Sequence, residues 1–213
     1  MKVSDKGLVE IAEHEGIVPA PYRDSVGVWT YGVGHTAAAG GLDPREMNSA
    51  MPTGAAMDAA VDRALELFKV DLGKYEKRVN DAIKVPLLQH EFDALVSFDF
   101  NTGGIHRAKL TAAINDGDKS GAGFMGWLQP PEIRKRRTAE MSLFKTGDYD
   151  ANGNTVPIWK TNGAGKLIGL HGAMSGAELL LRLRGSVQPD MAVTVPDDAP
   201  RVWWLDLIMR FLG

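Results

Sequence analysis

The spacing of the apolar residues changes along the chain, and this change constrains the fold more than any other feature. Residues 28–35 (VWTYGVGH) alternate with a period of two, which is typical of a half-buried strand. From residue 55 onward, the apolar residues recur with the helical period instead. We predict loops over 17–27 and 37–54 and helices over 4–15, 55–80, 87–100, 107–115 and 131–146. The pattern indicates an α+β protein that is mainly helical, with a small β-sheet near its N-terminus.

Charge and composition exclude several classes of function. The formal net charge of the 213 residues is −3, so the basic surplus that would neutralise nucleic-acid phosphates is absent. The chain has no cysteine, which rules out disulfides, thiolate nucleophiles and cysteine-ligated zinc. The N-terminal segment is polar and lacks the apolar core of a signal peptide. No apolar stretch approaches the ~18 to 20 residues that span a bilayer, so we expect a soluble chain without a nucleic-acid partner.

A change in composition after Tyr149 predicts two parts, a domain over 1–150 and a C-terminal extension over 151–213. Within the extension, we predict a loop over 150–165, a short helix over 175–184 and a linker over 187–200. The last residues, RVWWLDLIMRFLG, are able to form an amphipathic helix. We expect the extension to pack on the first domain, because isolated short helices are marginally stable. The alternative is that this tail inserts into a membrane interface or binds a partner.

Glu15 is the first residue whose position indicates chemistry. It shares one face of the predicted helix with Leu8 and Ile11, and Gly16 ends that helix. Burial and the negative end of the helix dipole both disfavour a charged carboxylate there. A carboxyl that stays protonated near neutral pH is what a general acid requires. Glu10 and Glu13 fall off this face, and we expect them to be solvated.

Asp24 and Thr30 supply the complementary groups. Asp24 lies in a segment rich in proline and glycine, where we expect it to be hydrated and ionised. Thr30 lies on the predicted strand and offers a hydroxyl with a stiff rotamer. Together they are able to orient and activate a water molecule. Each residue alone is ordinary, and the glycines at 32 and 34 lack the third glycine of a dinucleotide-binding loop.

The combined spacing is far more specific than its parts. The pattern E-G-x5-Y-x-D-x2-G-x2-T-x-G-x-G-H, present from Glu15 to His35, resembles the phage-type lysozymes of glycoside hydrolase family 24. The resemblance implies a lysozyme-like fold of two lobes, with the small sheet in the N-terminal lobe. It implies that Glu15 is the general acid, that Asp24 positions the water and that Thr30 assists. The implied reaction is hydrolysis of the β-1,4 bond between N-acetylmuramic acid and N-acetylglucosamine.

The resemblance continues through the region up to about residue 150. The segment 98–103 (FDFNTG) is similar to the aromatic-rich segment that borders the cleft in this family, and Trp127 with the later RRxxE sequence is similar to its closing stretch. We expect Thr36, Phe100 and Asn101 to bind substrate, with Phe100 stacking on a sugar. The alternative for Phe100 is a core phenylalanine at a helix end.

His35 is interpreted as a structural residue. The resemblance implies that it pairs with Asp71 on the long helix between the lobes. The other histidines show no metal-ligand spacing with it, so we expect neither a metal nor a cofactor.

The resemblance as a whole implies a phage endolysin, a bacteriolytic muramidase that acts on peptidoglycan glycan strands by inversion. We expect a monomer that accumulates in the host cytoplasm and reaches the wall through a separate release route such as a holin. One alternative is a lytic transglycosylase on the same fold, which needs no positioned water. The other is a non-catalytic wall-binding or localisation module, which the intact set of Glu15, Asp24 and Thr30 argues against.

Overall fold

The computed structural model describes residues 1–24, 27–149, 151 and 153–185, and every structural statement below concerns these residues. They form six α-helices, which are α1 (Asp5–Glu15), α2 (Ala55–Ala82), α3 (Gln89–Thr102), α4 (Lys109–Asn115), α5 (Arg134–Thr146) and α6 (Gly176–Gly185). They also form five strands, which are β1 (Val18–Arg23), β2 (Trp29–Gly32), β3 (His35–Thr36), β4 (Thr155–Thr161) and β5 (Leu167–Ser175). The mainly helical α+β fold with a small N-terminal sheet agrees with the prediction.

Helix α1 is fixed at both ends. The Ser4 hydroxyl caps its N-terminus by accepting a hydrogen bond from the Gly7 amide at 3.1 Å. The same hydroxyl donates to Asp93 Oδ2 at 2.5 Å, which joins the start of α1 to α3. Gly16 ends the helix with a φ of 68°, a conformation that favours glycine. Glu15 is therefore the last residue of a helix that is anchored to the centre of the molecule.

The N-terminal sheet contains β1, β2 and β3 in antiparallel order, with β1 at one edge. The predicted strand over 28–35 reverses direction at Val33–Gly34 and so gives β2 and β3. The predicted loop over 17–27 is wrong, because residues 18–23 form β1. Pro19 and Pro21 suggested a loop, but both lie between the paired positions Val18 and Tyr22, where the register with β2 is irregular. An edge strand tolerates prolines at such positions because no ladder hydrogen bond is required there.

The helical body surrounds α3, almost every residue of which is buried. Helices α2 and α5 both pack against it, and the 28-residue α2 also packs against β1 and β2. The four predicted helices of this region agree with α2 to α5 to within about two residues at each end, a normal margin for helix boundaries. The exception is the start of α5, where residues 131–133 form a short 3₁₀ turn ahead of the α-helix.

The described part of the extension forms a hairpin followed by a helix. The hairpin of β4 and β5 corrects the predicted loop over 150–165, because Gly153 and Asn154 lie ahead of β4 and residues 162–165 lie in the turn after it. Helix α6 agrees with the predicted short helix over 175–184. Its residues Leu179 and Leu183 are buried in the main core, so this part of the extension packs on the rest of the protein.

The division of the chain at residue 150 stays a prediction. The predictions for the linker and for the amphipathic tail fall on residues 186–213, which lie outside the described residues. Among the residues that are described, no helix is both long and apolar enough to cross a membrane.

Candidate active site

Glu15 lies at the end of α1 with only 4% of its surface exposed. Its Oε1 accepts a hydrogen bond from Arg136 Nη1 at 2.6 Å, and this pair joins α1 to α5. Within the described residues, Oε2 of Glu15 has no hydrogen-bond partner.

Arg136 is held by a buried network. Its Nε donates to Glu140 Oε1 at 2.9 Å, and its Nη2 donates to the carbonyl oxygen of Ser97 at 3.1 Å. The Ser97 hydroxyl donates to the same Glu140 oxygen at 2.8 Å. Burial opposes the charge of Arg136, but the carboxylates of Glu15 and Glu140 raise its pKa above the ordinary value. Glu15 therefore faces a permanent and rigidly placed positive charge.

Asn101 belongs to the same network. Its Oδ1 accepts a hydrogen bond from Arg137, which also donates to Glu140. The Asn101 side chain is buried, and its oxygen is directed at a guanidinium in the interior. The predicted role of Asn101 in binding substrate does not agree with this orientation, because its acceptor is already engaged within the protein.

Asp24 directly follows β1 in a closed turn. Its Oδ1 accepts a hydrogen bond from the Val28 amide at 2.7 Å, and its own amide donates to the Val28 carbonyl at 2.9 Å. The side chain is partly exposed, in contrast to Glu15.

Thr30 and Thr36 lie close to this turn. Thr30 pairs with Tyr22 across β1 and β2 and with Thr36 across β2 and β3. The Thr30 hydroxyl donates to the Val28 carbonyl at 3.1 Å and is almost fully buried, whereas Thr36 is partly exposed. Thr30 and Thr36 are therefore paired on one small sheet, and β1 of that sheet leads from Glu15 to Asp24.

Phe100 does not lie where the sequence analysis placed it. Its side chain is 2% exposed and packs edge-on against Phe68, with the ring centroids 5.7 Å apart. On another side it contacts Tyr75, with a centroid distance of 5.0 Å. A ring enclosed in this way has no free face for a sugar, so the prediction of stacking is wrong and the core alternative is correct.

His35 is a structural link, as predicted. Its Nδ1 lies 3.0 Å from Asp71 Oδ2 on α2, and its Nε2 lies 2.9 Å from the carbonyl oxygen of Leu42. Both side chains are buried. The described part of the chain holds no group of three or more His, Cys, Asp or Glu side chains suited to a metal ion.

The prediction that Glu10 and Glu13 are solvated is wrong, because both are buried. The far side of α1 is covered by the extension, where the Ala151 amide donates to Glu10 Oε2 at 3.3 Å. Desolvation raises the pKa of Glu10 to about 8, although the Ala151 hydrogen bond opposes the change. Burial, together with the positive charges of α5, lowers the pKa of the neighbouring His14 well below its ordinary value.

Two residues near the site carried no signal in the sequence. Trp159 of β4 lies against Gly16, and Gly165 of the β4–β5 turn lies against Trp29. Both come from a segment without a recognised motif, more than 120 residues away from their partners. Arg136 was noted only as part of a motif, since local spacing says nothing about its contact with Glu15.

Comparison with known proteins decides the family. The family model described as phage lysozyme matches residues 12–140, which include Glu15, Asp24, Thr30 and Arg136. The chain belongs to the phage lysozyme family. This lysozyme is 33% identical over 160 residues to an endolysin of Acyrthosiphon pisum secondary endosymbiont phage 1, covering 68% of the chain and 99% of that relative. It is 31% identical over 152 residues to the endolysin of Salmonella phage P22, covering 68% of the chain and 98% of that relative.

A solved structure agrees with this assignment. The endolysin from Escherichia coli O157:H7 phage FAHEc1 superimposes with a TM-score of 0.59 at 27% identity, covering 70% of this lysozyme and 96% of that chain. The predicted resemblance, the lysozyme-like α+β fold and the enzyme class are confirmed. The protein is a peptidoglycan-hydrolysing muramidase of the endolysin type.

Proposed function

We propose that this endolysin cleaves the β-1,4 bond between N-acetylmuramic acid and N-acetylglucosamine with inversion, using Glu15 as the general acid and Asp24 to position the attacking water. The different surroundings of the two carboxyl groups carry this proposal. Glu15 is buried at a helix end, whereas Asp24 is partly solvated in a turn. Two carboxyls in contrasting surroundings are the usual basis for an acid and a base in one site.

The chemistry follows from these positions. Glu15 Oε2, which has no partner among the described residues, transfers its proton to the glycosidic oxygen as the bond to the sugar breaks. Arg136 holds Oε1 at 2.6 Å and keeps the carboxyl in one orientation, and it stabilises the carboxylate that remains. Asp24 accepts a proton from the water that attacks the anomeric carbon from the opposite face, and Thr30 assists in placing that water. A proton passed back from Asp24 to Glu15 through solvent completes the cycle.

The mechanism requires space for the water. Inverting glycosidases hold their two carboxyl groups ~6.5 to 9.5 Å apart, whereas retaining enzymes hold them at ~5 to 5.5 Å. We expect the longer range between Glu15 and Asp24 in the complex with a glycan strand. A crystal structure of that complex with a shorter separation would contradict inversion.

Glu15→Gln tests the role of the acid. The amide keeps the size of the side chain but cannot donate a proton as an acid, so we expect the rate of peptidoglycan solubilisation to fall by about 10² to 10⁴. The matched control is Glu178→Gln, the same change at a half-exposed carboxylate on α6, which should keep the wild-type rate. Wild-type activity in Glu15→Gln, with a circular dichroism spectrum like that of the parent, would exclude Glu15 as the acid.

Thr36 is proposed as a substrate-binding residue, because it is partly exposed and pairs with Thr30. Thr36→Val keeps the shape of the side chain and removes its hydroxyl. We expect a higher KM for soluble glycan strands with kcat changed less than KM.

The route to the wall and the oligomeric state also belong to the proposal. We infer that the chain is a monomer that accumulates in the host cytoplasm and acts on the wall after release by a separate protein such as a holin. Fractionation of cells that express the protein alone should find it in the soluble fraction, and lysis should follow co-expression of a holin. Lysis on expression alone would contradict this route.

A further inference from the structure

Strand β1 is the direct connection between the two proposed catalytic carboxyls. It begins at Val18, three residues after Glu15, and ends at Arg23, immediately before Asp24. Any change in the length or direction of β1 therefore changes the distance between those carboxyls.

Its own sheet holds β1 at few positions. Pro19 and Pro21 have no N–H to donate, and the register with β2 is irregular between Val18 and Tyr22. Pairing with β2 is regular only near the Asp24 end, at Tyr22 and Arg23. The sheet alone is a weak constraint on the geometry of the catalytic pair.

The β4–β5 hairpin holds the Glu15 end of β1. The Ile17 amide donates to the Pro157 carbonyl at 2.8 Å, and the Trp159 amide donates to the Ile17 carbonyl at 2.8 Å. The indole of Trp159 lies on Gly16, so closely that a Cβ added to Gly16 would lie 2.5 Å from Trp159 Nε1. The residue that follows Glu15 is thus enclosed by β4.

The turn of the same hairpin holds the Asp24 end of β1. The Arg23 amide donates to the Gly165 carbonyl at 2.8 Å. A Cβ added to Gly165, whose φ is 75°, would lie 2.5 Å from the Trp29 ring. The Arg23 guanidinium also lies over the Trp29 ring, 4.7 Å from its centroid. Gly165 therefore packs directly against the strands that flank the Asp24 turn.

We propose that the β4–β5 hairpin is a positioning element of the active site, which sets the separation of Glu15 and Asp24 by holding both ends of β1. Trp159 and Gly165 are its positioning residues, and neither needs to touch the substrate. The hairpin lies beyond residue 140, where the match to the family model ends. This inference rests on the proposed roles of Glu15 and Asp24.

Gly165→Ala tests the contact at the Asp24 end. The added methyl group must displace Trp29 or the turn, and a misplacement of about 1 Å is enough to reduce turnover on the order of a hundredfold. We expect kcat on soluble glycan strands to fall at least tenfold, with KM within about twofold of the wild-type value. We also expect the two limbs of the pH profile of kcat/KM to move, because the interaction of two carboxyls depends on their distance.

Gly153→Ala is the matched control. It adds the same methyl group to a glycine just before β4 that also has a left-handed φ, of 64°, but a Cβ there meets no atom within 4 Å. It should keep the kcat and the pH profile of the wild type. A wild-type kcat in a folded Gly165→Ala variant, or equal losses in both variants, would overturn the proposal.

Trp159 provides an independent pair of variants, which decide the outcome if Gly165→Ala does not fold. Trp159→Phe keeps an aromatic ring on Gly16, whereas Trp159→Leu does not. We expect Trp159→Leu to have a lower kcat than the wild type with little change in KM. The kcat of Trp159→Phe should lie close to the wild-type value. Leu179→Ala serves as the stability control, because it weakens the extension at a buried position of α6, outside the hairpin. If Leu179→Ala lowers kcat as much as Trp159→Leu does, the hairpin has no positioning role.

The test of the hairpin and the test of the catalytic role of Glu15 have different outcomes. Activity retained in Glu15→Gln would remove the catalytic assignment itself. Activity lost in Glu15→Gln but unchanged in Gly165→Ala and Trp159→Leu would leave the assignment intact and overturn only the role of the hairpin.

Discussion

Glu10 lies one helical turn and one residue before the proposed catalytic acid, and its ionisation affects the stability of the folded protein. Burial raises the pKa of its carboxyl from 4.5 to about 8. Between these values the folded state keeps the proton and the unfolded state releases it. The contribution of Glu10 to stability is therefore fully present below pH 4.5 and is lost as the pH rises toward 8.

The neighbouring His14 acts in the opposite direction. Its lowered pKa means that the unfolded state binds a proton below about pH 6.5 while the folded state does not, so stability rises with pH up to that value. Above pH 6.5 the imidazole of the unfolded state loses its remaining protons, so the effect of His14 fades across the interval from 6.5 to 8. Over this interval the effect of Glu10 predominates.

We expect the free energy of unfolding of the wild type to fall across this interval, with a slope approaching about 1.4 kcal/mol per pH unit. Urea unfolding at pH 6.5 and pH 8 measures it. Glu10→Gln cannot ionise, so the same measurement on this variant should show a much smaller decrease. An equal decrease in the two proteins would mean that another group is responsible.

The contact between the His35 and Asp71 side chains joins two elements, β3 of the small sheet and α2 of the helical body. Both partners are buried and the contact is 3.0 Å long. Leaving one partner of a buried hydrogen bond unsatisfied commonly lowers the free energy of unfolding by about 1 to 3 kcal/mol. We expect Asp71→Asn to lower the free energy of unfolding by a few kcal/mol in chemical denaturation.

The same helix offers a matched control. Lys77 and Asp81 form a pair on the exposed side of α2, with more than half of each side chain in solvent. Asp81→Asn should lower the free energy of unfolding far less than Asp71→Asn does, because solvent screens exposed ion pairs. Equal decreases in the free energy of unfolding of the two variants would show that the buried contact between His35 and Asp71 stabilises the protein no more than an exposed ion pair does.

Elements with a strong local pattern were predictable, and those that depend on distant partners were not. The apolar stripe of α2 and the stop at Gly147 after α5 are readable because a helix makes its hydrogen bonds within a short segment. Strand β1 was missed because its prolines indicate a loop unless its position at a sheet edge is known. Strand β4 was missed because the turn residues on either side of it dominate the local composition.

In the candidate site, too, the residues within a local motif were predictable and those that depend on distant partners were not. Glu15, Asp24 and Thr30 lie within a short segment whose spacing is a recognisable motif. Arg136 is 121 positions from Glu15, and its contact with that carboxyl is created only by the packing of α5 against α1. Phe100 was misplaced because an aromatic residue at a helix end is equally consistent with a core position and with a cleft.

For the molecule as a whole, the described part of the extension is expected to unfold together with the catalytic region. Leu179 on α6 is fully buried in the common core, and Arg182 on the same helix bonds to Asp58 and Asp62 of α2. Leu179→Ala should reduce the free energy of unfolding by about 2 to 5 kcal/mol, as large-to-small changes in a core do. Thermal unfolding should remain a single transition that shifts to a lower temperature.

Leu181 on the same helix is the control, since 71% of its surface is exposed. Leu181→Ala should leave the transition almost unchanged. Two separate transitions in Leu179→Ala, with the transition of the catalytic region unmoved, would show that the extension is an independent appendage.

Inverting hydrolysis by Glu15 and Asp24 is tested most directly by the anomeric form of the product at the earliest times of digestion. Proton NMR of wild-type enzyme acting on soluble glycan strands reports this before the sugar equilibrates. We expect a newly formed reducing N-acetylmuramic acid in the α form, because a β bond is attacked from the opposite face. A product that first appears as the β anomer, or an anhydro sugar without a reducing end, would contradict the mechanism.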